Sequence, residues 1–271
     1  MKPLSPVSAR EAVHLLILRE LAEVSADTLW VLKGGVNLRL FFKSPRYSQD
    51  MDLDGDSAGA GAPAIRTCLK GIFASRTFLS RLHEMGIRGL DPGQGPNKDT
   101  DTTFRYKFHI IMPGDVHLPT KVEVSFQGGG GHGEDPWELA APDPQITSSY
   151  DINPIPVRHY TRPGATRQKI GALAGRAHVQ ARDVFDLHVL VRATPQGDLV
   201  RRLAGTLGAQ ELSVAYDRAL EITFEEYQGQ VLEFLEGESA DRYGTESAWD
   251  EIRLQVASLL ERVMEQQEKP R

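Results

Sequence analysis

The pattern of hydrophobic and polar positions changes character near residue 156. Before that point, short apolar or alternating segments of the kind found in β-strands are interspersed with segments of helical spacing. Ser8 and Glu11 are spaced as in a capping box, which places the start of the first helix at residue 9. The predicted strands are residues 29–32, 50–54, 102–112 and 120–126, the predicted helices are 9–24, 36–42 and 64–85, and the predicted loops are 43–49, 57–63, 86–101 and 128–156. From residue 163 onward the spacing is almost entirely helical. We therefore expect an α/β region at 1–156 and a helical region at 157–271.

The bulk composition is that of a globular protein with a substantial core. Of the 271 residues, 40% are apolar and 25% are charged, which excludes disorder throughout the chain. Cys68 is the only cysteine, so an internal disulfide and a cysteine-based zinc site are both excluded. No apolar stretch is long enough for a signal-peptide core or for the roughly 20 residues of a membrane span. We expect a cytoplasmic protein with no membrane contact.

Positive charge is concentrated in one part of an acidic chain. The formal net charge is −6, whereas a general nucleic-acid-binding protein is usually basic. Residues 158–182 nevertheless contain no acid, and their basic residues are Arg158, Arg162, Arg167, Lys169, Arg176 and Arg182. This window either neutralises a triphosphate or an RNA backbone, or forms the surface of an ordinary basic helix.

Two aspartates carry the first candidate chemistry. Asp50 and Asp52 are two residues apart on a predicted strand, so their side chains face the same side. Two neighbouring carboxylates repel each other unless a cation offsets them, and Mg²⁺ is commonly bound through one or two carboxylates together with substrate phosphates. The other interpretation is a solvated acidic strand edge, because Asp54 continues the same alternation.

A glycine pair precedes these aspartates. Lys33, Gly34 and Gly35 lie between a predicted strand and a predicted helix. Glycines at such a junction allow backbone N–H groups at the helix N-terminus to approach a phosphate. An ordinary turn explains the same three residues equally well.

A third carboxylate lies on a later predicted strand. Val122 and Val124 share one face of it, which should pack in the core, and Lys121, Glu123 and Ser125 share the other. If this strand lies beside that of Asp50, Glu123 completes a cluster of three carboxylates. The alternative is an exposed polar face with cross-strand pairs.

A further pair of acids follows the basic window. Asp183 and Asp186, three residues apart, lie on a shared polar side of a predicted helix. An i,i+4 ion pair between Arg182 and Asp186 is the structural explanation for one of them.

In order and spacing, these pieces resemble the AbiEii/AbiGii toxin family, nucleotidyltransferase-like proteins of bacterial toxin–antitoxin and phage-defence systems that include the MenT toxins. The resemblance covers residues 29–191. The residues that carry it are Lys33, Gly34, Gly35, Leu38, Arg39, Arg46, Ser48, Asp50, Asp52, Glu123, Lys169, Arg182, Asp183 and Asp186. It implies an α+β fold with a small twisted mixed sheet, flanking helices and a helical C-terminal part. On this resemblance, residues 1–156 would form the catalytic domain and residues 157–271 a helical domain that completes the active site. It also implies transfer of a nucleotide from a nucleoside triphosphate to an acceptor, with the 3′ end of tRNA as the expected acceptor and a cognate antitoxin as a partner.

The resemblance also assigns roles to individual residues. Asp50 and Asp52 would coordinate Mg²⁺, and Glu123 would hold a second ion or act as the base. Lys169 would balance charge on the triphosphate, with Asp183 either orienting it or acting as a further polar group of the active site. The nucleotide-binding residues would be Lys33, Gly34, Gly35, Arg46 and Ser48. The chain has Gly34-Gly35 where the wider superfamily has Gly-Ser, so the serine hydroxyl contact is missing.

Other functions remain open at this stage. A metal-dependent nuclease or phosphohydrolase uses the same kind of carboxylate cluster. A non-catalytic nucleotide-binding module would keep the site without turnover, and transfer to protein hydroxyls is a further alternative. Growth, shortening or no change of RNA 3′ ends in the presence of nucleoside triphosphates would distinguish them.

Overall fold

The computed structural model describes residues 3–26, 29–56, 61–92, 98–126, 136–192 and 196–269. These described residues divide into two units. The first takes in those of Met1–Phe41, Tyr47–Gly130 and Trp137–His159, and the second takes in those of Phe42–Arg46, Gly131–Pro136 and Tyr160–Arg271. The chain is thus mixed α+β, with its strands in the amino-terminal part and helices thereafter.

The strands form one mixed sheet, and one of them carries two acidic residues, Asp52 and Asp54. The strands are β1 Trp30–Lys33, β2 Met51–Gly55, β3 Gly89–Asp91, β4 Lys98–Thr100, β5 Thr103–Met112, β6 Val116–Ser125, β7 Trp137–Ala140 and β8 Val157–Tyr160. Their order is β3-β5-β6-β2-β1-β8-β7, and β4 pairs with β5. The strand β2 pairs antiparallel with β1 and parallel with β6, and β5 pairs antiparallel with β6. The segments of β1, β2, β5 and β6 were predicted, and no end differs from its predicted position by more than four residues.

Alternation of side chains gives this sheet one apolar and one polar face. Leu53, Val122 and Val124 are fully buried in the core of the first unit. Asp52 and Glu123 lie at alternate positions on the same strands and are only partly buried. Burial of the apolar face fixes the register, because a shift of one residue would place the acids in the core.

The helices of the first unit are α1 Pro6–Val24, α2 Gly34–Phe42, α3 Gly61–Ala74, α4 Arg76–Glu84 and α5 Pro144–Ser148. In α1 the successive residues Leu15 to Leu18 are all buried, as expected for a helix packed on more than one side. The predicted start of α1 was wrong: Ser5 is the N-cap and Pro6 the first helical residue. Glu11 does not close a capping box but is buried, where it binds Arg39 and accepts a hydrogen bond from the Tyr150 hydroxyl at 2.7 Å.

Several other predictions require correction. The predicted loop 86–101 contains β3 and β4, and the predicted irregular segment 128–156 contains β7 and α5. The predicted helix 64–85 is two helices, because Ser75 caps α4 and interrupts the run. Residues 57–60, 93–97 and 128–135 of the predicted loops lie outside the described residues.

The second unit is helical, as the spacing predicted. Its helices are α6 Arg162–Gly175, α7 Ala181–Arg192, α8 Gln196–Ala204, α9 Ala209–Glu221, α10 Phe224–Gln230, α11 Glu238–Tyr243 and α12 Glu246–Glu268, with a short 3-10 helix at Leu232–Phe234. Phe185, Tyr227 and Trp249 lie fully buried in its core, and the rings of the last two stack with centroids 4.3 Å apart. Among the helices that the structure describes, none has the length and hydropathy required to cross a membrane.

Candidate active site

The site begins where β1 leads directly into α2. Gly34, the first residue of α2, has φ of 68°, in the region that favours glycine. A Cβ atom at this position would lie 2.8 Å from Oδ2 of Asp52. The first turn of α2 therefore lies against the Asp52 side chain, and Gly35 is buried in the same turn. A helix N-terminus carries unpaired N–H groups that bind anions, so this junction has the chemistry of a phosphate cradle.

The sheet register brings the acids together. Asp52 is the direct partner of Glu123 on β6 and of Lys33 on β1. Asp54 is the partner of Ser125, one step further along the same face. The expectation that Glu123 lies beside the aspartates is therefore met by the backbone pairing.

Asp50 lies just before β2 rather than on it, which corrects the predicted strand 50–54. Its backbone is fixed locally, because the Ser48 hydroxyl donates a hydrogen bond to the Asp50 carbonyl at 2.8 Å. The Gln49 carbonyl accepts a second hydrogen bond from the Thr120 hydroxyl on β6 at 2.7 Å. Thr120 is in turn 2.8 Å from Nε2 of His14, a buried residue of α1. Neither His14 nor Thr120 was a candidate from the sequence, since nothing in their local pattern indicates this contact.

Basic side chains from three strands contact these acids. Nζ of Lys121 lies 3.5 Å from Oδ2 of Asp50 and 3.9 Å from Oε2 of Glu123. Arg105, on β5 directly opposite Glu123, binds the same carboxylate oxygen. Lys33 binds Asp54, so its ammonium group is engaged with an acid in this structure. Across four adjacent strands the directly paired residues are Arg105, Glu123, Asp52 and Lys33, so two neighbouring acids lie between two bases.

The electrostatics differ between the two paired carboxylates. Burial raises the pKa of Asp52; Lys121 and Lys33 oppose that shift, and the charges of Asp50 and Glu123 add to it, leaving the pKa raised. For Glu123 burial also acts to raise the pKa, but the Arg105 hydrogen bond and the charge of Lys121 outweigh it, leaving the pKa lowered. Asp52 is thus the acid whose ionised form most needs an additional positive charge.

The donor set fits a hard divalent cation. Three carboxylates lie on one patch, and carboxylate oxygens are the ligands that Mg²⁺ prefers. As the side chains stand, however, no group of three acidic, histidine or cysteine side chains in the described part of the chain converges on a metal position. Instead, Lys121 binds Asp50 and Glu123, and Arg105 binds Glu123. In this arrangement, basic side chains of the protein itself offset the carboxylate charge.

A second constellation lies entirely within the helical unit. Asp183 and Asp186 on α7 are fully buried rather than on a polar helix surface. Nζ of Lys169 on α6 lies 2.9 Å from Oδ1 of Asp183 and 2.6 Å from Oδ2 of Asp186. Nε of Arg176 lies 2.9 Å from the other oxygen of Asp183. Asp183 therefore contacts Lys169 directly, and its role in an active site stays a prediction.

Arg46 belongs to the same cluster. Arg46 is 4% exposed, and its guanidinium contacts both oxygens of Asp186 at 3.0 Å through Nη2. The prediction that Arg46 binds nucleotide stays a prediction, and its side chain already has a buried partner. The proposed pair between Arg182 and Asp186 does not form, because Arg182 donates to Gln180 while Asp186 binds Arg46 and Lys169.

The basic window 158–182 is largely engaged in internal contacts. Arg158 lies over the Trp137 ring at 4.2 Å within the first unit. In the second unit Arg162 donates to the Leu190 carbonyl, and Arg167 donates to the Thr206 carbonyl. The positive excess seen in the sequence therefore arises partly because the window ends just before the two aspartates that offset it.

Comparison with known proteins gives one family and several similar structures. Residues 16–263 match the family described as nucleotidyl transferase AbiEii toxin, type IV toxin–antitoxin system. JHP933 from Helicobacter pylori is 18% identical over 98% of this chain and 94% of its own, with a TM-score of 0.59. A putative nucleotidyltransferase from H. pylori is also 18% identical, over 96% of this chain and 95% of its own, with a TM-score of 0.58. MenT4, a nucleotidyltransferase toxin from Mycobacterium tuberculosis, is 15% identical over 94% of this chain and 84% of its own, with a TM-score of 0.60. No curated protein matches the chain significantly.

Proposed function

The chain belongs to the family of AbiEii nucleotidyl transferase toxins, and on that premise we propose that it transfers a nucleotide from a nucleoside triphosphate to the 3′-terminal hydroxyl of a tRNA in the cytoplasm. In this reaction the acceptor oxygen forms a bond to the α-phosphorus, and the bond from that phosphorus to the leaving pyrophosphate breaks. The hydroxyl proton is released as the new ester forms. A cognate antitoxin is the expected protein partner.

The observation that carries this proposal is the convergence of Gly34, Asp52 and Glu123. Strand pairing sets the two carboxylates side by side, and the glycine allows a helix N-terminus to approach them. Triphosphate transfer needs both parts, a carboxylate patch and a backbone cradle for phosphate. A cluster of acids alone would serve hydrolysis equally well.

Magnesium fits this donor set through Asp50, Asp52 and Glu123, and when bound it supplies positive charge that offsets the triphosphate and polarises the reacting phosphate. The chain's own residues position the nucleotide. The N–H groups at the start of α2 bind phosphate oxygens, and Lys33 at the end of β1 adds positive charge beside them. The hydrogen bond from Ser48 holds Asp50 in place at the start of β2.

Of the two roles predicted for Glu123, ligand and base, we propose the ligand. A general base works best when its pKa is near the working pH. Arg105 and Lys121 lower the pKa of Glu123, which keeps it ionised and makes it a weak base. An acid held ionised in this way is suited to binding a cation.

Lys169 and Asp183 keep their predicted roles as charge balance and orienting acid, on the strength of the family resemblance. The tRNA acceptor also rests on that resemblance. The internal contacts of the basic window mean that its total charge adds little support for an RNA surface.

The test is a screen of each α-labelled nucleoside triphosphate against total tRNA, other RNA and protein, with and without Mg²⁺. We expect label at tRNA 3′ ends with wild-type protein and none with Asp52→Asn. Asp217→Asn, which makes the same change at an exposed position of α9, is the matched control and should retain transfer. Shortened RNA would favour a nuclease, and labelled protein would move the acceptor to a protein hydroxyl. Binding of nucleotide without transfer to any acceptor would contradict the enzymatic proposal.

A further inference from the structure

Lys121 occupies the centre of the carboxylate patch. Its ammonium group contacts Asp50 and Glu123, two of the three predicted metal ligands, and its side chain is 26% exposed. It also lies on β6 two residues before Glu123, so both side chains project from the same face of the sheet.

The balance of charge explains why a cation is held there. Asp50, Asp52 and Glu123 bring three carboxylates together, and Arg105 is committed to Glu123 on the side of β5. Without Lys121, Asp50 would lose this ion pair, and Asp52 would keep only Lys33 of the two lysines that offset its charge, which is unfavourable in a partly buried site. An ammonium group and a divalent ion can therefore each offset the negative charge of these carboxylates, and both bind through the same carboxylate oxygens.

We propose that Lys121 is the resident counter-cation of this site, which holds Asp50 and Glu123 in the metal-free protein and is displaced from them when a divalent ion binds. This inference rests on the proposed metal-binding role of the three carboxylates. Lys121 thereby sets the metal affinity, because every ion that enters must break two ion pairs. The absence of a converged three-ligand group in the described residues is the expected appearance of the lysine-occupied form.

The experiment measures direct binding of Mn²⁺, as a spectroscopic substitute for Mg²⁺, by the electron paramagnetic resonance signal of the free ion. Methionine matches the length of lysine without its charge, so we expect Lys121→Met to bind Mn²⁺ about five- to tenfold more tightly than wild type, as for loss of a partly exposed ion pair. The melting temperature of metal-free Lys121→Met should fall, and saturating Mn²⁺ should raise it by more than it raises that of wild type. Lys121→Arg retains the charge and should keep the weaker affinity.

Lys107→Met is the matched control. Lys107 is the direct partner of Lys121 across β5 and β6, and therefore faces the same side of the sheet, but it is exposed. The same loss of charge at Lys107 should change Mn²⁺ affinity less than twofold. An equal gain in affinity in both variants would mean that general charge, rather than displacement of Lys121, controls binding, and would overturn the inference.

The remaining outcomes separate this inference from the proposed function. If Lys121→Met binds Mn²⁺ no more tightly than wild type while Asp52→Asn binds none, the metal site stands and the role of Lys121 is rejected. If wild type and Asp52→Asn bind Mn²⁺ equally, the carboxylate patch is not the metal site, and the proposed function loses its metal ligands together with this inference.

Discussion

Gly34 and Asp52 approach so closely that any side chain at position 34 would meet the carboxylate. Two separate effects require glycine there, the positive φ and the 2.8 Å contact that a Cβ would make with Oδ2. Gly34→Ala should therefore displace Asp52 in addition to straining the backbone. We expect loss of most nucleotidyl transfer and a loss of stability of about 1–2 kcal/mol from the φ angle.

Gly86→Ala separates these two effects. Gly86 also has a positive φ, of 81°, but a Cβ there would meet nothing within 4 Å. Both variants should lose similar stability in urea denaturation, and only Gly34→Ala should lose transfer. Equal activity in the two variants would show that the contact with Asp52 does not matter.

Replacing Asp52 should make the metal-free protein more stable rather than less. Its raised pKa means that the folded protein disfavours the ionised carboxylate relative to the unfolded chain. At pH 7, Asp52→Asn removes this unfavourable charge while abolishing transfer. Thermal unfolding without divalent ions should give a melting temperature at or above that of wild type. A marked decrease in the melting temperature would mean that Asp52 stabilises the fold. Loss of transfer in Asp52→Asn could then not be attributed to catalysis.

Lys169→Met should destabilise the protein strongly. The substitution removes a cation from two fully buried aspartates, and breaking a buried ion pair in this way costs about 3–5 kcal/mol. Loss of activity in this variant alone would therefore not identify Lys169 as a catalytic residue. Adding Asp183→Asn removes the carboxylate whose remaining partner is the partly exposed Arg176, and it leaves the buried pair between Arg46 and Asp186, so the double variant should recover part of the stability in urea denaturation. Absence of any recovery would show that Lys169 and Asp183 are not energetically coupled.

His14 should make stability fall in mildly acid solution. Burial lowers its pKa from 6.5 to about 3, so the folded protein keeps His14 neutral while the unfolded chain binds a proton below pH 6.5. This contribution is fully present above pH 6.5 and is lost as the pH falls toward 3, by about 1.4 kcal/mol per pH unit at most. His188, whose pKa is lowered to about 4, acts in the same direction. Urea denaturation between pH 6.5 and 4.5 should show a shallower pH dependence for His14→Gln than for wild type, and identical slopes would contradict the assignment.

Thr120 offers a test of how Asp50 is positioned. Thr120→Val keeps the shape of the side chain but leaves both His14 and the Gln49 carbonyl without this hydroxyl, at a cost of about 1–3 kcal/mol. Thr120→Ser retains the hydroxyl and should preserve transfer. We expect the valine variant to need more Mg²⁺ for half-maximal activity, and a serine variant equally impaired would point to packing instead.

Strand alternation predicted the centre of the site, and hairpin geometry would have added one residue to it. Arg105 and Glu123 lie at equal distances from Gly114 along the chain, so a hairpin turning at Gly114 pairs them directly. Arg105 was missed because the two strands were considered separately. The short strands β3, β4, β7 and β8 were not predicted. Unlike β1, which an apolar run marks, their three or four residues carry too little apolar pattern, and their pairing depends on distant parts of the chain.

The buried ion pairs of the second unit were outside the reach of local patterns. Arg46 and Asp186 are far apart in sequence, and each is compatible with an exposed position when considered alone. Only the fold shows that both side chains are buried together. Burial thus changes the interpretation of charged residues more than their spacing does.

Residues 42–46 have a consequence for how this protein can be divided. They are grouped with the helical unit, while the residues on either side of them are grouped with the sheet, so the polypeptide passes between the units more than once. A fragment that begins at residue 157 would contain Asp183 and Asp186 but not Arg46. The buried carboxylate of Asp186 would then lack its arginine partner. A protein designed to contain the helices alone must therefore also include this five-residue segment.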